Sequence, residues 1–74
     1  SLPGAVVHLK RYLVYRCSGG ITPELRYGVG FTRKYSLPTG GGWLSFDLSS
    51  IDIAWGTVYI VSNPASAFEM DEAY

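Results

Sequence analysis

The strongest constraint on the fold of this chain is an alternation of apolar and polar residues between positions 24 and 35. Every second residue from Leu25 to Tyr35 is apolar except Arg33, and the residues between them are polar or glycine. This period of two is typical of a β-strand with one buried face, because successive side chains of a strand point to opposite faces. The pattern predicts one half-buried strand over residues 24–35, with Pro23 at its entrance.

A second alternating segment follows a glycine-rich stretch. Apolar residues occupy every second position from Leu44 to Leu48, which predicts a strand that begins at about position 43. Residues 38–42 contain three glycines and a proline, a composition that predicts a turn. We therefore expect residues 24–35 to pair with the second strand as an antiparallel hairpin.

The remaining strand candidates are less regular. Residues 57–62 are β-branched or aromatic up to the final serine, which favours a strand covered on both faces. Residues 5–17 fit helical and strand spacing alike, and their content of valine and tyrosine favours a strand. Between these candidates, a bend is expected at residues 49–52 and a break at Gly56.

The C-terminal segment has a helix-start signal. Asn63 is a suitable N-cap and Pro64 suits the first helical position, so residues 64–72 are expected to form one or two helical turns anchored by Phe68. The alternative is that residues 64–74 form a frayed acidic tail, because the acids near their end oppose the helix dipole.

Together these segments predict the fold class. We expect an all-β, mainly antiparallel structure: a small sheet or a sandwich- or barrel-like domain of four or five strands, with one short C-terminal helical turn as an optional element. At 74 residues the chain is long enough for one domain only, so residues 1–74 are predicted to form a single small β-rich domain.

Charge is strongly segregated along the sequence. Residues 1–37 contain six bases and one acid, a net charge of +5, whereas residues 38–74 contain five acids and no base, a net charge of −5. Segregation of this kind favours an interaction surface. The alternative is that strand pairing brings the two halves together and the opposite charges form cross-strand pairs.

The composition also favours a protein partner. Charged residues make up 16% of the chain, against about 25% in a typical soluble domain, and 47% of residues are apolar. A small domain has much surface for its volume, so a low charge content indicates that another chain covers part of that surface. A self-sufficient monomer is the alternative.

Several classes of function are disfavoured. One cysteine and one histidine exclude an internal disulfide and a zinc site of known spacing, so no metal or cofactor is expected. Nucleophilic catalysis would require Cys17 or a serine beside His8, and acid–base catalysis could use Asp47 with Asp52, but neither arrangement is expected. No apolar run is long enough to span a membrane and no signal peptide is recognisable, so no membrane partner is expected and the location is left open.

Two kinds of binding module are alternatives. Trp43 and Trp55 on a β scaffold could form a carbohydrate-binding platform. Arg26 and Lys34 on one strand face, with Tyr12 on a neighbouring strand, could hold single-stranded nucleic acid through phosphate contacts and stacking.

The function that accounts for most of these features is a non-catalytic structural or interaction subunit, packed against other protein chains in a homo- or hetero-oligomer. The start at Ser1, without a methionine, suggests a processed component of a virus particle as one concrete form. The source, the partner, the oligomeric state and the sheet topology stay open at this level. The candidate interaction residues are Arg26, Lys34, Trp43, Trp55 and Phe68.

Overall fold

The computed structural model describes residues 5–62 and 64–74, which form seven strands and two short 3₁₀ turns. The all-β, antiparallel fold class predicted from the sequence is confirmed. The 3₁₀ turns are Val29–Phe31 and Leu48–Ser50, the second of which lies at the predicted bend. The strands are β1 (Ala5–Val7), β2 (Tyr12–Cys17), β3 (Glu24–Tyr27), β4 (Arg33–Ser36), β5 (Trp43–Asp47), β6 (Val58–Ser62) and β7 (Pro64–Met70).

The strands form two sheets. One has four strands in the order β1-β6-β3-β4, and the other has three in the order β5-β2-β7. Every pairing is antiparallel. The number of strands exceeds the predicted four or five for two reasons: two segments expected to be single strands are each divided in two, and the segment expected to be helical forms β7.

The first divided segment is the alternating run at 24–35, and the prediction of one continuous strand is wrong. Gly28, Gly30 and Phe31 have φ angles of 83°, 65° and 55°, so the chain reverses there and β3 pairs with β4 as a hairpin. Both arms keep the same period, and Leu25 lies opposite Tyr35. The alternation of apolar residues therefore continues through the turn, so a count of apolar positions cannot detect that the chain reverses there.

The second divided segment is residues 5–17. β1 pairs with β6 in the four-stranded sheet, whereas β2 is the central strand of the three-stranded sheet. Residues 8–11 carry the chain from one sheet to the other. His8 fixes this crossing on the side of the four-stranded sheet, because its N–H donates to the Thr57 carbonyl and its own carbonyl accepts from Gly56.

The predicted pairing of residues 24–35 with residues 43–49 is also wrong, because β5 pairs with β2. Leu37 explains the difference: its N–H donates to the Pro23 carbonyl and its side chain is buried in the core. The chain therefore turns inward directly after β4, and the glycine-rich stretch leads to the other sheet instead of closing a hairpin.

The C-terminal helix prediction is wrong for the described residues, because Pro64–Met70 form β7 and pair with β2. The predicted cap, Asn63, lies outside the described residues. Val14 lies opposite Phe68, and Tyr12 lies opposite Met70. Pairing with a central strand outweighs the local capping signal, as tertiary contacts often do for a short segment. Residues 71–74 follow the strand without regular structure.

The core is built from both sheets and the loops between them. Phe46 and Leu48 are buried, as the pattern of the second alternating segment predicted. β6 differs from its prediction, because Tyr59 is buried but Val58 on the opposite face is 38% exposed. No helix in the described part of the chain is long and apolar enough to cross a membrane. The core residues are Leu13, Tyr15, Leu25, Tyr27, Leu37, Phe46, Leu48 and Tyr59.

The hairpin turn gives a direct test of this topology. Gly28 has φ 83° and ψ −176°, a conformation open essentially to glycine alone, and a Cβ there would lie 3.2 Å from Arg33 Cγ. We expect Gly28→Ala to lower the free energy of unfolding by about 1–3 kcal/mol in urea denaturation. Gly19→Ala is the matched control, because a Cβ there meets no atom within 4 Å. Equal stability of the two variants would contradict the turn.

Candidate interaction surface

The central strand of the three-stranded sheet presents two different faces. Leu13 and Tyr15 point into the core and are fully buried. Val14 and Arg16 point to the opposite, outer face, as the period of a strand requires. Val14 is nevertheless 0% exposed although it is not part of the core. A second, smaller apolar cluster therefore covers the outer face of this sheet.

Three aromatic side chains form that cluster, which we call the aromatic cluster: Trp43, Phe68 and Tyr74. The ring centroids of Trp43 and Phe68 lie 5.5 Å apart with an edge-to-face orientation, and those of Trp43 and Tyr74 lie 6.3 Å apart. These separations are within the range of favourable aromatic pairs. Phe68 lies opposite Val14 across β2 and β7, so its ring helps to cover that valine.

The last residues of the chain complete the cluster. The Tyr74 N–H donates to Ser45 Oγ at 3.3 Å, and Ser45 lies opposite Val14 on the side of β5. This bond holds Tyr74 on the outer face. Tyr74 is still 68% exposed and Phe68 is 43% exposed, so much of the aromatic cluster faces solvent.

Arg16 lies beside the aromatic cluster, and its guanidinium group has no acidic partner among the described residues. Its Cζ lies 5.6 Å from the centroid of the Trp43 ring, a cation–π arrangement. The side chain is exposed and makes no ion pair with the rest of residues 5–62 and 64–74. Arg16 also lines a groove of about 500 Å³ between residues 18–22 and 39–42. Its donors are therefore available to a partner.

Arg11 extends the same face at the other end of β2. Its Cζ lies 5.3 Å from the Tyr12 ring centroid, and its Nη2 lies 2.9 Å from Asp47 Oδ2. Asp47 also accepts hydrogen bonds from Ser49 N at 3.0 Å and from Ser49 Oγ at 2.6 Å. The bond from Arg11, followed by that from Ser49, holds the pKa of Asp47 well below its usual range.

A buried carboxylate lies on the opposite, inner side of β7. Glu69 has a side chain that is only 8% exposed. One of its oxygens accepts from the backbone N–H groups of Leu9 and Lys10 at 2.9 and 3.2 Å, and the other accepts from the Tyr59 hydroxyl at 2.8 Å. Burial, followed by this bond to Glu69, raises the pKa of Tyr59 far above its usual value. Glu69 thus connects β7, β6 and the crossing segment.

His8 lies against the same carboxylate. Its Nδ1 lies 3.4 Å from Glu69 Oε2 and is buried without a hydrogen-bond partner among the described residues. The Trp55 ring covers it, with centroids 5.5 Å apart. Trp55 is itself 69% exposed, and it lies in the turn before β6, away from the contacts that build the aromatic cluster.

The two charged halves of the sequence meet in this fold. Three described ion pairs join a base of the first half to an acid of the second: Arg11–Asp47 at 2.9 Å, Arg33–Asp52 at 2.8 Å and Lys10–Asp71 at 3.7 Å. The alternative of charge pairing within the fold therefore accounts for a large part of the segregation. Lys34, like Arg16, is exposed and makes no ion pair within the described residues.

The five residues named from the sequence fall in three places. Trp43 and Phe68 come together in the aromatic cluster. Arg26 and Lys34 lie directly opposite each other across β3 and β4, on the outer face of the four-stranded sheet. Trp55 lies alone on His8, and no aromatic contact among the described residues joins it to Trp43.

The two side-chain pairs considered as catalytic candidates, His8 with Cys17 and Asp47 with Asp52, do not come together in the described residues. Cys17 lies at the end of β2 near the Pro38 carbonyl, whereas His8 precedes the other end of that strand and contacts Glu69 and Trp55. Asp47 and Asp52 are held in separate pairs by different arginines. Within residues 5–62 and 64–74, no group of three or more His, Cys, Asp or Glu side chains could hold a metal ion.

Sequence reasoning missed three residues of this region: Val14, Glu69 and Tyr74. The roles of Val14 and Tyr74 in this region depend on the pairing of β7 with β2. The prediction of a helix over residues 64–72 excluded that pairing. The alternation of Ala67 and Glu69 with Phe68 and Met70 was the available signal, because Ala67 packs on the core while Phe68 points outward.

A comparison of the chain with protein-family profiles, curated proteins and solved structures found no match.

The Arg11–Asp47 pair predicts a specific pH dependence. Because the pKa of Asp47 is lower in the folded state than its ordinary value of 3.8, the pair stabilises the fold above about pH 4, and this contribution is lost as the pH falls below that value. We expect Asp47→Asn to be less stable than the wild type in urea at pH 7, with the difference shrinking between pH 4 and pH 2. Asp71→Asn is the control, because the Asp71 side chain is 79% exposed, and its stability at pH 7 should differ much less from that of the wild type. A pH-independent effect of Asp47→Asn would contradict the pair.

Glu69 gives a second prediction. Glu69→Ala leaves the Tyr59 hydroxyl and the Leu9 and Lys10 amides without their acceptor, so we expect the free energy of unfolding to fall by about 2–4 kcal/mol. The exposed Glu72 is the control, and Glu72→Ala should change stability by less than about 0.5 kcal/mol. Urea denaturation followed by circular dichroism measures both values, and similar losses in the two variants would disprove the role of Glu69.

Proposed function

We propose that this protein is a non-catalytic interaction subunit that binds other protein chains through the aromatic cluster. One observation carries the proposal: a connected group of aromatic side chains remains partly exposed on the outer face of the three-stranded sheet. Phe68 and Tyr74 are 43% and 68% exposed although they contact Trp43 or lie close to it. Burial of this surface by a partner would provide the main driving force for binding.

The chemistry of the surface supports a protein partner. Interfaces between proteins are enriched in aromatic residues and arginine, and these residues dominate their binding energy. The aromatic cluster combines three aromatic rings with the uncommitted guanidinium of Arg16. Charged residues make up only 16% of the chain. This low content also favours a surface that a partner covers in the assembled state.

A subunit of a larger assembly is the specific form of this proposal, and a virus particle is one such assembly. The internal pairing of charges supports packing among other proteins, because it leaves few free charges to attract an oppositely charged polymer.

Carbohydrate binding is the second candidate, and the exposure of Trp55 favours it. An exposed aromatic ring can stack on a sugar, and Trp55 is 69% exposed. However, Asp52, the nearest acid in sequence, already accepts a hydrogen bond from Arg33 at 2.8 Å. The platform would therefore consist of one ring without a free carboxylate beside it.

Nucleic-acid binding has less support. Arg26 and Lys34 share the outer face of the four-stranded sheet, but Tyr12 belongs to the other sheet. The register places no aromatic residue on the same face of the described strands, so this basic pair has no stacking ring. Its neighbours on that face are Ala5, Val7, Glu24, Ser36, Val58, Ile60 and Ser62.

Size fractionation of the native protein from its source tests the proposal. We expect it to elute with other chains, in a species much larger than the 8.1 kDa of the chain. Tyr74→Ala and Trp55→Ala form a matched pair, because the two side chains are 68% and 69% exposed and only Tyr74 belongs to the aromatic cluster. Tyr74→Ala should lower the incorporated fraction several-fold, and Trp55→Ala should leave it unchanged.

Two results would count against the proposal. Recovery of the native protein as a free monomer would show that it is not part of an assembly. Loss of incorporation in Trp55→Ala alone would move the site away from the aromatic cluster. Binding to a glycan array that Trp55→Ala abolishes, in a protein that stays monomeric, would establish the second candidate.

A further inference from the structure

The two sheets end in four edge strands, which are β1 and β4 in one sheet and β5 and β7 in the other. An edge strand presents unpaired backbone N–H and C=O groups, and natural proteins protect such edges by short length, charged side chains or coverage. The four edges of this fold differ sharply in that protection.

Three of the edges are protected. β1 has only three residues, and β4 has four residues that include Arg33 and Lys34, both exposed. On β5, Asp47 is charged and the Tyr74 N–H is bonded to Ser45, so the C-terminal residues lie over this strand. Each of these edges discourages the addition of another strand.

β7 is the edge that lacks such protection within residues 5–62 and 64–74. It is the longest strand described, with seven residues. Its one charged residue, Glu69, is turned inward and is 8% exposed, whereas the outward side chains from Ser66 onward are uncharged. An irregularity in the pairing with β2 lies next to Pro64, so the regular stretch begins at Ser66. The side chains on its outer face are Ser66, Phe68 and Met70.

We propose that a second copy of this chain pairs with the free edge of β7, antiparallel across a two-fold axis at Phe68. The proposal names the first partner within the assembly proposed above and therefore rests on that function. Paired residues of antiparallel strands lie on the same face, so Phe68 meets Phe68 of the second copy and Ser66 meets its Met70. The two three-stranded sheets then form one six-stranded sheet with a continuous aromatic outer face.

Charge complementarity supports this register. Arg16 lies opposite Ser66 across β2 and β7, and Ser66 is an exposed residue with a small, uncharged side chain. With Met70 of the second copy opposite Ser66, the exposed Glu72, two residues further along the second copy, follows at the end of the strand where Arg16 lies, whereas Asp71 pairs with Lys10 of its own chain at 3.7 Å. The two-fold axis repeats this contact, so each copy brings a positive group to a negative segment of the other.

Disulfide trapping tests the register. In a Cys17→Ala background, which removes the native thiol, Phe68→Cys places a cysteine on the axis directly opposite its symmetry mate. Directly opposite residues have Cα atoms about 4.5–5.5 Å apart, within the range of a disulfide. We expect oxidised glutathione to convert this variant to a covalent dimer on a non-reducing gel at a protein concentration that supports association.

Two single variants control for random collision and for a fold damaged by loss of the Phe68 ring. Ser66→Cys and Met70→Cys, each alone in the same background, hold their cysteines about 13 Å from the symmetry mate and should not form a disulfide. An equimolar mixture of the two should form the mixed dimer. Equal cross-linking of all variants, or none in the mixture, would overturn the proposed register.

A charge reversal tests the same interface without cysteine. Arg16→Glu should weaken dimerisation about ten-fold in sedimentation velocity, because it places like charges together twice across the axis. Lys34→Glu is the matched control, since it makes the same change of charge at an exposed base on the other sheet and should leave dimerisation unchanged. Restoration of dimerisation in Arg16→Glu combined with Glu72→Arg would identify the pair.

These results are separable from those for the proposed function. A folded chain that stays monomeric at all concentrations, with no trapped dimer, would overturn β7 pairing. The same chain could still elute in a large native species with other proteins, in which case the interaction function would stand with a different partner on this edge.

Discussion

The fold depends on one buried carboxylate. Glu69 extends from β7 in the three-stranded sheet and accepts hydrogen bonds from Tyr59 of the four-stranded sheet and from two amides of the crossing segment. A carboxylate that is removed from water requires such partners, because an unpaired buried charge is strongly destabilising. The bonds can therefore all form only when β6, β7 and the crossing segment adopt one relative arrangement. In a chain of 74 residues with no internal disulfide, this connection takes the place of a covalent cross-link.

The sequence predicts the class of fold better than its connections, and particular residues show why. The alternation around Leu25 identified extended chain and the buried face of β3, since period two is a local property. The buried face did not extend to β4, where Tyr35 is 38% exposed. The same alternation continued through Gly28 and Gly30, so the turn was invisible in the pattern although their glycine identity was a signal for it. The pairing of β2 with β5 and β7 joins segments that are distant in the sequence, and one sequence carries no direct record of such contacts.

The candidate site shows the same limit. Trp43 and Phe68 were named as candidate interaction residues from their chemistry, but their contact depends on β7, which local capping signals had assigned to a helix. In the sequence, the segregation of charge favoured an interaction surface, with internal pairing as the alternative. Its physical expression is largely internal, because Arg11, Arg33 and Lys10 each find an acid from the second half. Bases outside these pairs, such as Arg16, are the ones whose charge is left for contacts with a partner.

The connection through Glu69 and the exposure of the β7 edge have a common origin. β7 contains one charged residue, and the fold requires that residue on the inner face, where it joins the sheets. Because the faces of a strand alternate, this requirement leaves the uncharged Ser66, Phe68 and Met70 on the outer face. The strand therefore cannot use its own charge to repel a neighbouring strand, as β4 can with Lys34. The inward position of Glu69, which joins the two sheets, therefore also leaves the edge of β7 suited to pairing with another chain.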